Sequence, residues 1–329
     1  MKKIIALLLL LTLLTGCTTA APPATQPIET TEATEATVLT EATEATEATE
    51  TTEATEPAAE VDLAPGDPDT LTVHFIDVAH ADGMLIECNG HFALVDAGMA
   101  DTSDRVVNYL ASRGVEKLDL VVGTHPHADH IGGMPDVLAN YPVDNVWFSA
   151  IPYTNYTVTN FLNSVRWRGR QVVRPANGTV FDLGGATITV LGPIRDNHED
   201  VNDISLVLMV QYGDVRFLLT GDMESIAEKE LVESGADLKA DVLKVGHHGS
   251  YSSTSYIFLR EVMPTYAVIS LAAGNEYGHP HDEPMSRLRD AEVIIYQTAK
   301  MYNISATTDG TDITFKWDNK YAEPWKPSK

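Results

Sequence analysis

The chain has 329 residues, of which 44% are hydrophobic and 21% charged, and its formal net charge is -25. That length and apolar content suffice for one substantial buried core. So acidic a balance, with the only local basic cluster at Arg166, Arg168, Arg170 and Arg174, argues against a protein that grips long nucleic acid along a basic stripe.

Met1-Lys2-Lys3 is followed by a run from Ile4 to Leu14 almost without a polar residue, a secretion signal too short to cross a membrane. Leu14-Thr15-Gly16-Cys17 resembles the lipobox of bacterial lipoproteins. The resemblance implies that residues 1–16 are a cleaved signal peptide and that Cys17 carries lipid, with enough acyl chain for stable anchoring at the outer face of the cytoplasmic membrane. Residues 17–68 repeat Thr, Glu and Ala, with ten glutamates between Glu29 and Glu60 and no basic residue. Such a segment cannot bury apolar surface and its charges repel, so a disordered, extended tether is expected. Without Lys2 and Lys3 the charge becomes -27, and without the tether glutamates about -17 remains on the rest. Once Cys17 is lipidated, Cys88 is a lone thiol in a strand.

Residues 69–329 are expected to form one domain. Val73–Val78, Met84–Glu87 and Phe92–Asp96 read as strands. Asp101–Ser112 reads as a helix with Gly114 past its end, and Leu118–Val122 as a buried strand. A helix is expected through Pro135 to Asn140 and a strand at Val143–Phe148. Tyr153–Arg170 is irregular or helical, with short strands at Val172–Val173, Thr179–Phe181 and Thr187–Leu191. Ile204–Gln211 and Val215–Thr220 form a hairpin around Tyr212-Gly213-Asp214, followed by a helix at Met223–Glu233 and a strand at Ala240–Val245. The remainder predicts strands at Tyr266–Ser270, Val293–Tyr296, Tyr302–Thr307 and Asp312–Phe315, with a helix at Glu283–Ala291. Two blocks of strands with outer helices suit an α/β sandwich.

The richest stretch is Thr124-His125-Pro126-His127-Ala128-Asp129-His130-Ile131-Gly132-Gly133. It places three histidines and an aspartate within six residues, directly after a buried strand. Imidazole nitrogen and carboxylate oxygen are the donors that zinc and related divalent ions prefer. An open catalytic metal site follows, and two ions could share it.

H-x-H-x-D-H resembles the signature of the metallo-β-lactamase superfamily, whose fold is a four-layer αβ/βα sandwich. Ala93-Leu94-Val95-Asp96-Ala97-Gly98, Phe217-Leu218-Leu219-Thr220-Gly221-Asp222 and Leu243-Lys244-Val245-Gly246-His247-His248-Gly249-Ser250 resemble its other motifs. His74-Phe75-Ile76-Asp77-Val78, the stretch from Asn202 to Leu208, and Tyr277-Gly278-His279-Pro280-His281 are similar to the C-terminal hydrolase domain of the ComEC/Rec2 competence proteins. Glu87 to Ala93 and Tyr141 to Val146 look like the phosphorylcholine esterases of wall teichoic polymers.

The superfamily resemblance implies two divalent metal ions, zinc foremost and manganese the alternative. His125 and His127 would hold the first, Asp129, His130 and His247 the second, and Asp222 both. Asp96 and Asp203 would support the ligands from behind. A third ligand for the first ion is missing from its usual place, and Asp203, a water or His279 could supply it. Asp129, His248 and His279 are the candidate catalytic residues. A hydroxide held between ions about 3.5–4 Å apart would attack phosphorus, and His248 or His279 would serve the leaving group. Trp147, Tyr153, Tyr156 and Trp167 are expected to overhang the site, where they could hold a choline-like cation.

The function implied is an extracellular, lipid-anchored phosphodiesterase acting on DNA or another phosphodiester. A teichoic or phosphorylcholine-type esterase is the alternative within the same chemistry, so the partner is nucleic acid or wall polymer. A surface-binding lipoprotein on a degenerate hydrolase fold is the alternative of another class, and the intact metal motifs argue against it.

Overall fold

The computed structural model describes residues 64–149 and 153–327. The signal peptide, Cys17 and most of the expected tether lie outside the described residues. The chain enters with β1 (Leu71–Phe75), β2 (Gly83–Cys88) and β3 (His91–Ala97), and continues through α1 (Ser103–Ser112) into β4 (Leu118–Gly123). A single turn, α2 (Ala128–Ile131), and α3 (Met134–Asn140) lead to β5 (Val143–Phe148), α4 (Tyr156–Trp167) and β6 (Val172–Val173). The second half contains β7 (Val180–Leu183), β8 (Ala186–Gly192), β9 (Val207–Tyr212), β10 (Val215–Leu219), α5 (Ser225–Glu233) and β11 (Val242–Lys244). Then follow α6 (Tyr256–Val262), β12 (Tyr266–Ile269), α7 (Asp282–Asp290), β13 (Ile294–Gln297), α8 (Thr298–Met301), β14 (Ile304–Thr308) and β15 (Ile313–Trp317).

Two sheets result. One runs β15-β14-β1-β2-β3-β4-β5-β6 and the other β13-β12-β11-β10-β9-β8-β7. Along β4, Leu120 and Val122 enter the core between the sheets, while Leu118 and Val121 pack outward against α1, α3 and α4. Along β10, Phe217 and Leu219 point inward and Leu218 outward, toward α5, α6 and α7. A strand buried on both faces is apolar nearly throughout, and each of these strands has a single charged residue, Asp119 or Arg216, at its second, only partly buried position. The arrangement is the four-layer αβ/βα sandwich implied by the sequence.

The differences are local. Ile76–Val78 leave the sheet, Ile204 belongs to a 3-10 turn rather than a strand, and α6 was not expected. Helix α6 is short, and its buried stripe is Phe258, Leu259 and Val262, too brief a pattern to separate from a loop.

Away from the metal loops, His74 is fully buried in β1. Its Nε2–H donates to Glu87 at 3.0 Å and its Nδ1 accepts from the Tyr109 hydroxyl at 3.0 Å. Burial pushes its pKa below 6.5 despite the neighbouring Glu87, so in acid the unfolded chain takes a proton that the folded chain refuses. Glu87 sits below its usual 4.5, because His74 and Arg113 outweigh its burial; its contribution is present above 4.5 and lost as pH falls through the lower folded value. Both groups therefore weaken the fold on acidification. Glu87→Gln is expected to lower the urea midpoint at pH 8 and to narrow its gap to wild type toward pH 4. An undiminished gap would remove Glu87 from the acid response.

Candidate metal centre

Strands β3 and β4 are parallel, as are β10, β11 and β12, so the loops leaving each group open at one edge. Side chains at such carboxyl ends converge on a crevice. His125 to His130 follow β4, Asp222 follows β10, His247 and His248 follow β11, and His279 lies beyond β12. The glycines after the histidine motif have a steric cause. A Cβ at Gly132 would lie 2.3 Å from the Ala128 carbonyl oxygen, and one at Gly133 2.1 Å from that of Ala97. Only glycine lets this turn press onto the end of β3.

Three groups of donor atoms form among the described residues, each with all its atoms within 4.8 Å of one another: Asp129, His130, Asp222 and His248; His125, His127 and Asp222; and, deeper, Asp82, Asp96 and His130. Asp222 belongs to both of the first two. Its Oδ2 lies 3.2 Å from His130 Nε2, 3.6 Å from His248 Nε2, and 3.9 Å from the Nε2 atoms of both His125 and His247. His125 Nε2 and His127 Nδ1 face each other at 3.1 Å, and Asp129 Oδ2 is 3.2 Å from His248 Nε2.

The second nitrogen of three of the histidines is held by a fixed partner, which sets the tautomer. His130 Nδ1–H donates to Asp96 at 2.8 Å, and Asp96 also accepts from the Thr124 amide and hydroxyl. His248 Nδ1–H donates to the Ser270 carbonyl at 2.9 Å, and His247 Nδ1–H to Glu224 at 2.9 Å. Each Nε2 lone pair is thereby aimed at Asp222. His130 Nε2 and Asp222 Oδ1 are buried without a hydrogen-bond partner, a costly arrangement for polar atoms in a protein interior. Orphaned imidazole and carboxylate donors around one point fit divalent cations.

Burial and mutual charge shift the groups of the cluster in opposite directions. Burial, helped by His130, pushes His125 well below 6.5. Burial is outweighed at Asp222 and Asp129 by His130 and His248, which hold both carboxylates below the usual range. At His130 burial is outweighed by Asp222, Asp96 and Asp129, and the pKa rises.

His247 and His248 both adopt left-handed backbone, at φ 48° and 53°, which costs non-glycine residues on the order of 1–3 kcal/mol each and concentrates at functional sites. The two rings consequently reach different partners. Of the pair, His248 is the one whose ring lies with Asp129, His130 and Asp222, its Nδ1 facing the Ser270 carbonyl and its Nε2 the carboxylates. His247 Nε2 stands as far from Asp222 as His125 Nε2 does, at 3.9 Å. Asp203 does not supply a third ligand for the first ion: its Oδ1 accepts from the amides of Glu224 and Ala227 and caps α5.

The cleft over these groups encloses roughly 300 Å³ and is walled by His80, Tyr277 and His279 beside His127, Asp129 and His247. His80 stacks on Tyr277 with centroids 5.0 Å apart. Burial lowers both His80 and His279 to about 4, so both rings are neutral at pH 7. Trp147, Tyr153, Tyr156 and Trp167 do not line this cleft; Trp147 is core, packed on Phe181, while Trp167 is 90% exposed on α4. Arg168 binds the last carbonyls of α3, Arg170 pairs with Asp144 and Arg174 with Asp196, so these arginines tie the surface locally. Sequence reasoning missed His80, Glu224 and Lys244. A polar residue directly past a strand was the available signal for His80, and a lysine inside the apolar run Val242 to Val245 was that for Lys244.

The sheets, the edge on which the loops meet and the shared aspartate define a metal-binding hydrolase-type sandwich. The profile of the metallo-beta-lactamase superfamily matches residues 77–273, and the chain belongs to that superfamily. Within it the chain is ComEC/Rec2-like. It is 31% identical over 193 residues to ComE operon protein 3 of Bacillus subtilis, covering 59% of this chain and 25% of that protein. It is 30% identical over 224 residues to Competence protein ComA of Neisseria gonorrhoeae, covering 68% of this chain and 30% of that one. The chain thus spans under a third of these relatives' length. Among solved structures, CmlA, a diiron beta-hydroxylase from Streptomyces venezuelae, aligns at a TM-score of 0.50 with 13% identity, over 74% of this chain and 55% of CmlA; that likeness concerns the fold alone.

Proposed function

We propose that the domain is a metal-dependent phosphodiesterase, lipid-anchored through Cys17 outside the cytoplasmic membrane. The observation that carries the reading is Asp222, a buried carboxylate with four imidazole Nε2 atoms within 3.9 Å of one oxygen. His125, His127, His247 and Asp222 would hold a first ion, and Asp129, His130, His248 and Asp222 a second, with zinc preferred over manganese. Divalent ions so placed supply positive charge to a phosphate oxygen and lower the pKa of a coordinated water to about 7.

The chain's own residues do the rest. Asp96, Glu224 and the Ser270 carbonyl orient three of the histidines. His125, His130 and Asp222, all nearly inaccessible, form a dry floor on which charge interactions are strong. The cleft leaves His127, Asp129 and His247 half-open toward substrate, and neutral His80 and His279 present hydrogen-bonding nitrogen without repelling the ions.

Competence-protein relatives favour a nucleic-acid phosphodiester, and the acidic surface favours a short or single-stranded one over long duplex. The test is metal content together with turnover of bis-(p-nitrophenyl) phosphate, DNA, p-nitrophenyl phosphorylcholine and a chromogenic β-lactam. Chelator-sensitive turnover of bis-(p-nitrophenyl) phosphate and DNA is expected. Hydrolysis of the phosphorylcholine ester alone would move the reading to a wall esterase, and of the β-lactam alone would end it. Labelled palmitate is expected in wild type and not in Cys17→Ala.

A further inference from the structure

One buried cation has no part in the chemistry above. Lys244 ends β11 fully inaccessible, and its Nζ lies 2.8 Å from Oδ2 of Asp82, which is equally buried at the start of β2. The two residues come from opposite sheets and meet beneath the second donor group. A buried ion pair is retained at a desolvation cost, so its position calls for a reason.

Its connections supply one. The Asp82 amide donates to the Asp129 carbonyl at 3.1 Å, and Asp82 Oδ1 lies 3.6 Å from His248 Nδ1. The Lys244 carbonyl accepts from the Thr220 hydroxyl at 2.9 Å, two residues before Asp222, while its Nζ donates to the Val245 carbonyl at the entrance to the His247-His248 turn. The backbone of these two residues holds the segments that carry Asp129 and Asp222, while the side-chain pair itself faces His248 and, by way of Asp82, also Asp96 and His130. Asp82, Asp96 and His130 also bring their oxygen and nitrogen atoms within 4.8 Å of one another, and the Lys244 ammonium is the cation the protein itself places against that cluster.

We propose that Lys244 and Asp82 are a positioning pair that sets the affinity of the second metal group, without touching substrate. The proposal rests on the two-metal reading above. Loss of a residue that orients metal ligands from behind weakens metal binding about 10- to 100-fold. The pair has its contacts with the second group, so the first ion should be spared.

The experiment titrates zinc into metal-free wild type and Asp82→Asn/Lys244→Met, a double variant that leaves no unpaired buried charge. Cobalt absorption reports the geometry of each site. Expected are two equivalents in wild type, and in the folded double variant an unchanged first equivalent with a second weakened about 10-fold or more and an altered cobalt spectrum. A folded double variant that binds both ions with wild-type affinity and spectrum would overturn the proposal. Should the double variant not fold, Asp82→Asn alone makes the same comparison, because its amide oxygen keeps the side chain's shape and still accepts from the Lys244 ammonium, and a folded variant with both ions at wild-type affinity overturns the proposal equally. Wild type that takes fewer than two ions would sink the proposal together with the two-metal reading. Wild type that binds two ions but turns over no phosphodiester would sink only the proposed activity, since affinity is read without substrate.

Discussion

Asp222→Asn is expected to fold, to bind at most one divalent ion, and to lose phosphodiesterase turnover by about 10³-fold or more, since the substitution removes an interaction on which a whole metal site depends. The side chain is 1% exposed and keeps its volume in the variant, so packing is little changed. Its charge is what changes. Four imidazoles, those of His125, His130, His247 and His248, lose the one carboxylate that faces them all. His130 and His248 at present hold Asp222 ionised against its burial, a coupling that works in both directions. An amide in its place offers no charge to offset two ions. Circular dichroism checks the fold, elemental analysis the stoichiometry, and bis-(p-nitrophenyl) phosphate the rate. A variant with two ions and more than about a tenth of wild-type turnover would remove Asp222 from the centre of the site, given that a tenfold loss is only about 1.4 kcal/mol.

Stripping the metals with a chelator is expected to lower the melting temperature by roughly 5–10 °C, and re-addition of zinc to restore it. An ion that binds only the folded chain stabilises it by about 2.7 kcal/mol at a concentration 100 times its dissociation constant. For a domain of this size each kcal/mol shifts the midpoint by about 2–4 °C. The structure gives the physical origin: Asp82, Asp96 and Asp222 are fully or almost fully buried beside the partly covered Asp129, with one lysine and the imidazoles of His130 and His248 to offset them. Metal-free, the cluster leaves His130 Nε2 and Asp222 Oδ1 without partners. Calorimetry with and without chelator measures the shift. Equal melting temperatures would mean that the cluster is satisfied by the protein alone.

His125, His127, Asp129 and His130 were legible because their spacing is local. Six consecutive residues after a buried strand must emerge together at its end, whatever the remainder of the chain does. The strands around them were legible for the same kind of reason, since β4 and β10 are buried on both faces and, after Asp119 and Arg216, write that burial as the apolar runs Leu120–Val122 and Phe217–Leu219. Asp222 and the His247-His248 pair were recognisable as motifs, but their partners were not.

Which of two adjacent histidines meets Asp129 depends on two left-handed residues and on where Ser270 and Glu224 lie, 22 and 23 positions away along the chain. The role of Asp203 turned on the same kind of information, because an aspartate that caps a helix and one that binds a metal look alike until the helix is placed. The Lys244–Asp82 pair spans the two sheets and joins residues 162 positions apart, which no periodicity encodes. Local spacing and hydrophobic pattern act along the chain, and they suffice to gather candidate metal ligands at a strand end within an α/β sandwich. Which imidazole faces which carboxylate, and what charge lies beneath them, is settled between segments that meet after the sheets have closed.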